Sequence, residues 1–328
     1  MNKHLKTIFL HLDGIALSPI YEILNSYSID SYLLSSAKFK MTDVIDKYKA
    51  NSAYFNVLLK ILEAQGVLNK NISNETLSVT DFGQKVLSSC HLFNGISNYY
   101  KESVALIKNH NYDNQRFESA FTQTFNAYNE AKKNNDILIS TYIEGVLIAP
   151  IIIFESFTKK RGNSKSINYP KCTLNFLKDY NYLDIQSHLT DKGLYFLSKS
   201  HAYGVPASYM RTFSHLDDLI FGNYKYIWKK DSFDNEYHVN RALNVWGSGK
   251  SHKNYFKDLD IFIEKIFNKS LEEQPLGISD MGCGDGSFLL HLYNLIKEKT
   301  LRGQNLKTNP IYLVGADYNQ AALDETIL

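Results

Sequence analysis

The feature that most constrains the fold is a short apolar run, followed at once by alternating glycines and then by a helical pattern. It is GISDMGCGDGSFLLHLY, residues 277–293. Glycines after a strand permit a tight turn and let a ligand approach the backbone, and the next helix presents unpaired N–H groups. A second apolar run, IYLVGADYN (residues 311–319), follows after a loop. This order predicts strand, helix, strand and helix in a parallel α/β sheet.

Each of these two runs ends in an acidic residue, Asp280 and Asp317. Open α/β sheets bind ligands at the carboxyl ends of their strands, so we expect both carboxylates beside the glycine turn. An acidic residue at the position of Asp317 is suited to accept hydrogen bonds from ribose hydroxyls. The glycines follow G-x-G-x-G rather than G-x-G-x-x-G, which disfavours NAD.

DMGCGDG resembles the first motif of the class I S-adenosylmethionine-dependent methyltransferases, D/E-x-G-x-G-x-G, and GADYN resembles their second, acidic motif. The resemblance implies S-adenosyl-L-methionine as cofactor. It implies that Gly282, Gly284 and Gly286 pass beneath the methionine and ribose part. Asp280 would organise the loop and its contacts to the amino group, and Asp317 would hold the ribose. The alternative is an ordinary strand, glycine turn and helix.

The region before this motif is predicted to be mainly helical and winged-helix-like. After a helix capped by Thr42, apolar residues at helical spacing predict a helix that Gly66 ends. VLNKNISNETLSVT then indicates two short strands around an Asn-rich turn, and TDFGQKVL begins another helix with Thr80 or Asp81 as its cap. Helix, hairpin and helix is the winged-helix pattern.

Residues 172–200 repeat this order in a weaker form, with YLDIQ as the strand-like piece. VTDFGQKVL and LTDKGLYFL carry Thr, Asp and Gly at matching offsets. This favours a duplicated winged-helix-like unit, and the alternative is two unrelated capped helices.

A winged-helix unit ahead of the glycine motif resembles small-molecule methyltransferases of secondary metabolism, in which N-terminal helices mediate dimerisation and cap the substrate pocket. Three segments resemble the methyltransferase domains of bacterial polyketide synthase loading modules: LDGIALSPIYEIL (12–24), AYGVPASYMRTFSHLDDLIFG (202–222) and HVNRALNVWGSG (238–249). This resemblance implies an acyl group on a carrier protein, or a small molecule, as substrate. It also implies a homodimer through the N-terminal helices.

The last of these segments predicts a wall of the substrate pocket. His238, Arg241 and Asn244 are spaced by three, so we expect them on one helix face, with Trp246 nearby. His238 is the candidate base, or binds a carbonyl or carboxylate. The alternative is a helix that ends in a Gly-Ser-Gly cap. A P-loop is excluded because Asn244 stands where that motif needs glycine, and no strand precedes it.

Charge and metal-ligand spacing argue against other classes of function. The formal net charge is +2, and the predicted recognition region DFGQKVLSS has one lysine and no arginine, so nucleic acid is not an expected partner. No metal is expected, because the His and Tyr candidates lack ligand spacing: His201, Tyr203, His215 and His252.

Cysteine usage and apolar run length bear on the compartment. Three scattered cysteines indicate a reducing, cytoplasmic location. The apolar runs at the N-terminus and at residues 145–154 are expected to be too short to span a bilayer, so no membrane contact is expected.

The sequence thus predicts an α/β C-terminus, the start of an incomplete Rossmann-like methyltransferase sheet, after a mainly α winged-helix-like region. The predicted regions are a winged-helix-like domain at 1–110, a second such unit at 111–205, a helical connector at 206–270 and the cofactor-binding part at 271–328. Because a complete sheet of this class has seven strands, we expect a fragment or truncated product that is inactive alone. The alternative function is a non-catalytic scaffold that docks a carrier protein.

Overall fold

The computed structural model describes residues 3–108, 113–158, 171–230, 236–318, 320 and 323. The chain divides into two compact units, Met1–Val239 and Asn240–Leu328. Most of the helix predicted at NQAALDETIL and the side chain of His252 lie outside the described residues.

The first unit is mainly helical, as the sequence predicts. Its described helices are α1 (Lys3–Ser26), α2 (Ile29–Ser35), α3 (Met41–Tyr48), α4 (Ser52–Ala64), α5 (Asp81–Ser88), α6 (Ile96–Lys108), α7 (Asn114–Lys133), α8 (Ile137–Ile153), α9 (Lys171–Asp179), α10 (Asp191–Ser198), α11 (His201–Ser208), α12 (Met210–Phe213) and α13 (Leu216–Ile220). Two strands, β1 (Leu68–Asn71) and β2 (Thr76–Val79), form an antiparallel hairpin. Shorter turns are the 3-10 helices Cys90–Phe93 and Tyr224–Trp228 and the π-helix Phe154–Thr158.

Helices α1 and α8 cross closely at the centre of this unit. A Cβ atom at Gly14 would lie 2.5 Å from the Tyr142 Cα, and one at Gly145 would lie 2.5 Å from the His11 Cα. Only glycine therefore permits this approach at either position. The apolar run at residues 145–154 is buried in α8, as expected of a core segment.

The N-terminal run is longer than the sequence predicted, because α1 continues through Pro19 for 24 residues. Proline has no N–H for the carbonyl oxygen of Ile15, but the Tyr100 hydroxyl donates to that oxygen at 2.7 Å. By length and composition alone, α1 and the segment Ile137–Phe157, which joins α8 to the π-helix after it, could each cross a bilayer, but most of the apolar part of each is buried inside the protein.

The predicted helix, hairpin and helix are present as α4, β1, β2 and α5, which we call the first repeat (residues 52–88). The Thr80 hydroxyl caps α5 by accepting the Gly83 N–H at 2.8 Å, which confirms one of the two predicted caps. The Thr42 cap is wrong. Lys40 occupies the N-cap of α3, and its N–H donates to the Asp43 carboxylate at 2.8 Å.

The weaker pattern forms α9, an isolated bridge between Leu183 and Leu189, and α10, which we call the second repeat (residues 171–198). The strand expected at YLDIQ is thus reduced to one bridged pair. The Thr190 hydroxyl caps α10 by accepting the Gly193 N–H at 3.1 Å.

The described elements of the second unit are α14 (Arg241–Phe267), a 3-10 helix (Leu271–Glu273), β3 (Gly277–Met281), α15 (Ser287–Lys299), α16 (Leu301–Gln304) and β4 (Tyr312–Ala316). Strands β3 and β4 pair in parallel, in register from Gly277↔Tyr312 to Met281↔Ala316. The predicted beginning of an α/β sheet is therefore confirmed.

Two local predictions for this unit are wrong. Helix α14 does not end at the Gly-Ser-Gly segment (247–249) but continues to Phe267, because Phe256 packs on Phe288 of α15 at 4.8 Å between ring centroids. The loop expected after α15 contains α16, whose Arg302 is buried. Its guanidinium donates to the carbonyl oxygens of Pro275 and Pro310, each at 3.3 Å, which holds the chain just before β3 and β4.

Candidate functional site

The turn between β3 and α15 is built from glycines in the left-handed backbone region. Gly282, Gly284 and Gly286 have φ angles of +91°, +58° and +69°. A Cβ atom at Gly282 would meet nothing within 4 Å, and one at Gly284 would make only ordinary contact with Val245. Backbone conformation rather than crowding therefore requires glycine here, and the face of the turn stays open to a ligand.

Hydrogen bonds fix this turn to the end of β4. The Gly282 and Cys283 N–H groups both donate to the Ala316 carbonyl oxygen, at 2.6 and 3.1 Å. The Asp317 carboxylate accepts the Gly284 N–H at 3.0 Å. The glycine turn after β3 and the acidic end of β4, which the sequence predicted to meet, are thus joined through the Asp317 carboxylate.

A cavity of about 440 Å³ lies over this turn, entirely within the second unit. That volume is in the range of small-molecule and cofactor sites. Its described lining residues come from α14, the glycine turn, α15 and the end of β4: Arg241, Asn244, Val245, Ser248, Phe256, Asp280, Gly282, Cys283, Gly284, Asp285, Ser287, Phe288, Asp317 and Tyr318.

The structure brings most of the predicted site residues to this cavity. Arg241 and Asn244 lie one helical turn apart on α14 and both line it, whereas Trp246 is not among the described lining residues. Gly286 does not line it either, and occupies the N-cap position of α15.

His238 does not share a helix face with Arg241, so that prediction is wrong. Helix α14 begins at Arg241 with Asn240 as its N-cap, and the Asn240 side chain accepts the Leu243 N–H at 3.2 Å. His238 therefore precedes the helix, in the first unit. Its ring lies 5.4 Å from that of Trp228 and its Nε2 lies 3.7 Å from Glu236 Oε1. Its role as a base stays a prediction.

Cys283 was not identified as a site residue from the sequence. Its Sγ would lie 2.9 Å from a Cβ atom at Gly315, so the thiol packs directly against β4. Burial, with the nearby Asp317 and Asp280 carboxylates, raises the pKa of Cys283, which keeps the thiol protonated rather than nucleophilic. The sequence signal that could have identified Cys283 is its position as a small residue between Gly282 and Gly284, with Gly315 in the second apolar run.

Two of the four residues considered and rejected as metal ligands, Tyr203 and His215, have side-chain partners of other kinds. The Tyr203 hydroxyl lies 2.8 Å from His11 Nδ1, and His215 Nδ1 lies 3.1 Å from Asp218 Oδ2. Ligand atoms of His215, Asp217 and Asp218 do come within 4.8 Å of one another. Carboxylates in the first turn of α13 are also favoured by the helix dipole, so this cluster has an adequate structural explanation.

The residues present fit S-adenosylmethionine on chemical grounds. The turn offers an open glycine surface at a helix N-terminus, and Asp280, Asp285 and Asp317 border the cavity. Carboxylates complement the ammonium and sulfonium charges of that molecule and accept hydrogen bonds from ribose hydroxyls.

Three family models match the chain, in order along the sequence. The AprA N-terminal domain matches residues 4–70, the AprA winged helix domain matches 144–223 and the AprA MT2-like domain matches 236–327. No curated protein matches the sequence. The winged helix match contains the second repeat, and the MT2-like match contains the cavity. The resemblance to polyketide-type methyltransferases and the predicted fold class are confirmed, and three parts of the chain are similar to the N-terminal, winged helix and MT2-like domains of AprA.

Proposed function

We propose that this protein binds S-adenosyl-L-methionine as part of a methyltransferase that acts on a small-molecule or carrier-bound acyl substrate of secondary metabolism. The observation that carries the proposal is the left-handed glycine turn, whose Gly282 and Gly284 line a cavity bordered by Asp280 and Asp317. The match of the same residues to an MT2-like domain supports it.

S-adenosylmethionine supplies an electrophilic methyl group on a sulfonium. The protein's own contribution would be positioning: the glycine turn with Asp280 and Asp317 would hold and orient the bound molecule, so that its methyl group could be transferred in line to an acceptor, with the thioether as leaving group. An acceptor that must lose a proton needs a base, and His238 is our candidate.

We further propose an acyl group on a carrier protein as acceptor, a cytoplasmic location and a homodimer formed through the N-terminal helices. These rest on the similarity to polyketide-type methyltransferase domains and on the AprA N-terminal domain match. The second candidate function is a non-catalytic scaffold that docks a carrier protein.

The direct test is calorimetric titration of the full chain with S-adenosylmethionine, beside the variant Asp317→Ala. The variant removes a carboxylate that accepts the Gly284 N–H and borders the cavity. Loss of such a charge-assisted hydrogen bond is expected to weaken binding by about 1–3 kcal/mol.

The matched control is Asp258→Ala, which removes an exposed carboxylate from α14 and should leave the affinity unchanged. Equal affinity of the Asp317→Ala variant and the wild type would remove Asp317 from the site. Absence of binding by the wild-type chain would contradict the proposal and favour the scaffold.

A further inference from the structure

The cavity in the second unit carries an unequal set of charges. Among its described lining residues, Asp280, Asp285 and Asp317 are anionic and Arg241 is the one cation. The described wall therefore has two more negative than positive charges. Such a wall attracts cationic groups and repels anionic ones, more strongly than in bulk water because the cavity is partly shielded from solvent.

The ligand of the proposed function has one group that conflicts with this wall. At neutral pH, S-adenosylmethionine carries a positive sulfonium, a positive ammonium and one carboxylate. The two cationic groups are complemented by the aspartates. The carboxylate can enter such a cavity at low cost only beside a cation, and a guanidinium suits it because it donates two parallel hydrogen bonds.

Arg241 and the glycine turn line the same cavity. Arg241 is the first residue of α14, at the positive end of the helix dipole, which also favours an anion there. Helix α14 is held against α15 by the Phe256–Phe288 ring contact and by a 2.6 Å hydrogen bond between His291 Nε2 and Asp260 Oδ1. Helix α15 begins directly after the glycine turn, so these contacts join the helix that carries Arg241 to the helix that follows the turn.

We propose that Arg241 pairs with the carboxylate of the methionine moiety of S-adenosylmethionine, and so makes the site selective for ligands that keep this carboxylate. This inference rests on the proposed function. It assigns Arg241 to the cofactor rather than to the acceptor, where the sequence had placed it. An acceptor carboxylate is the other source of the same chemistry, and the experiment separates the two.

The experiment compares two probes that differ in one group, S-adenosylmethionine and its decarboxylated analogue, by calorimetric titration of the full chain without any acceptor. Wild-type protein should bind S-adenosylmethionine more tightly than the analogue. Arg241→Gln should weaken binding of S-adenosylmethionine by about tenfold to a hundredfold, the scale of a hydrogen-bonded charge pair, and leave the analogue unaffected.

Two further variants sharpen the result. Arg241→Lys keeps the charge but loses the planar fork, so an intermediate loss is expected for S-adenosylmethionine alone. Lys257→Gln removes an exposed cation from the same helix, outside the described lining residues, and should change neither affinity. Thermal unfolding of each variant provides the check that the second unit remains folded.

The outcomes are distinguishable. If Arg241→Gln weakens both probes equally, or neither, while the wild type binds S-adenosylmethionine, the assignment of Arg241 is overturned and the proposed function stands. An unchanged affinity for both probes would show that Arg241 does not pair with the cofactor carboxylate. If wild-type protein binds neither probe, the proposed function fails and this inference fails with it.

Discussion

The first and second repeats share one backbone arrangement but differ in what surrounds it. Each turns after its first helix through a left-handed residue, Gly66 with φ +74° and Asn181 with φ +59°. Each threonine cap also donates its hydroxyl to the carbonyl oxygen of that residue, in both cases at 2.6 Å. The second repeat thus keeps the same helix, turn and cap geometry. The segment from the left-handed residue to the threonine cap is five residues shorter in the second repeat than in the first.

The difference lies at one position of the shared Thr-Asp-x-Gly sequence. The first repeat has Phe82 there, which is 41% exposed, and the second has Lys192. The Lys192 ammonium donates to Glu144 of α8 at 2.8 Å, and the Tyr182 hydroxyl donates to the same carboxylate at 2.7 Å. The first repeat is stabilised by its hairpin, whereas the second is attached to the central helices through a partly buried ionic cluster.

That cluster also includes a histidine from α1. His11 Nε2 lies 3.9 Å from Glu144 Oε2, and its ring lies 5.5 Å from that of Phe196. Burial by itself would raise the pKa of Glu144, but His11 and the Lys192 charge outweigh it and hold that pKa well below its usual value. Similar local geometry is therefore no guide to how a segment is held in the tertiary structure.

The largest effects should come from the paired glycines, where the two repeats are alike. A Cβ atom at Gly83 would overlap the Val67 carbonyl oxygen, and one at Gly193 would overlap that of Tyr182. We expect Gly83→Ala and Gly193→Ala each to lower the free energy of unfolding by about 3 kcal/mol. Hydrogen exchange of α5 and α10 would report each repeat separately, and a tolerated alanine at either site would break the equivalence.

Lys192→Met should nearly match that loss, at about 2–4 kcal/mol, because it leaves the Glu144 carboxylate buried without its cation. The matched change Phe82→Met in the first repeat should cost less than about 1 kcal/mol. Thermal unfolding measures both. Adding Glu144→Gln to Lys192→Met should recover much of the loss, and a loss that persists in the double variant would show that packing rather than charge is responsible.

The dependence of stability on pH between 7 and 5 should appear in α10 of the second repeat, because His11 of α1 packs against Phe196 of that helix. Burial lowers the pKa of His11 below its ordinary value of 6.5, with partial compensation by Glu144. The unfolded chain therefore binds the proton more readily, so stability is retained above pH 6.5 and falls as the pH decreases towards the folded pKa, by up to about 1.4 kcal/mol per unit.

Protection of α10 in hydrogen exchange, measured at pH 7 and pH 5 and corrected for intrinsic rates, would show this dependence. His11→Gln should flatten it. The described residues of the first repeat include no buried charged side chain, so α5 is the internal control. An equal change in α5 would place the responsible group elsewhere.

The two threonine caps should contribute about equally. Thr80→Ala and Thr190→Ala each remove a hydroxyl that accepts a glycine N–H and donates to a carbonyl, and we expect a loss of about 1 kcal/mol from each. Thr→Ser at the same positions keeps the hydroxyl and should retain most of the stability. Chemical denaturation of the four variants would test this, and a cost confined to one repeat would contradict equal capping.

The smallest effects are expected from exchange of the left-handed residues. A side chain at Gly66 would meet nothing within 4 Å, and asparagine adopts positive φ more readily than other side chains. Gly66→Asn and Asn181→Gly should therefore each change stability by less than about 1 kcal/mol. Gly66→Val is the control and should cost more, because a β-branched residue is strained there. Equal melting temperatures for Gly66→Asn and Gly66→Val would contradict this.

Local sequence patterns predicted much of the fold and of the candidate site. The Thr-Asp-x-Gly helix starts, the hairpin around an Asn-rich turn and the order of β3, α15 and β4 follow from capping, turn and glycine chemistry within a few residues. Predictions failed where a distant contact decides the outcome. Helix α14 passes the Gly-Ser-Gly segment by packing on α15, and α1 passes Pro19 because Tyr100 supplies the missing donor.

The sequence by itself determined the glycine turn, because glycines stand at the three alternate positions where the backbone adopts positive φ angles. Glycine adopts such angles without steric strain. It also determined that acidic residues end both strands. Only the tertiary structure decided that Arg241 and Asn244 line the same cavity as the turn, and that Lys192 meets Glu144 across 48 residues of chain. Backbone conformation depends on neighbours in sequence, whereas burial and charge pairing depend on which helices pack together.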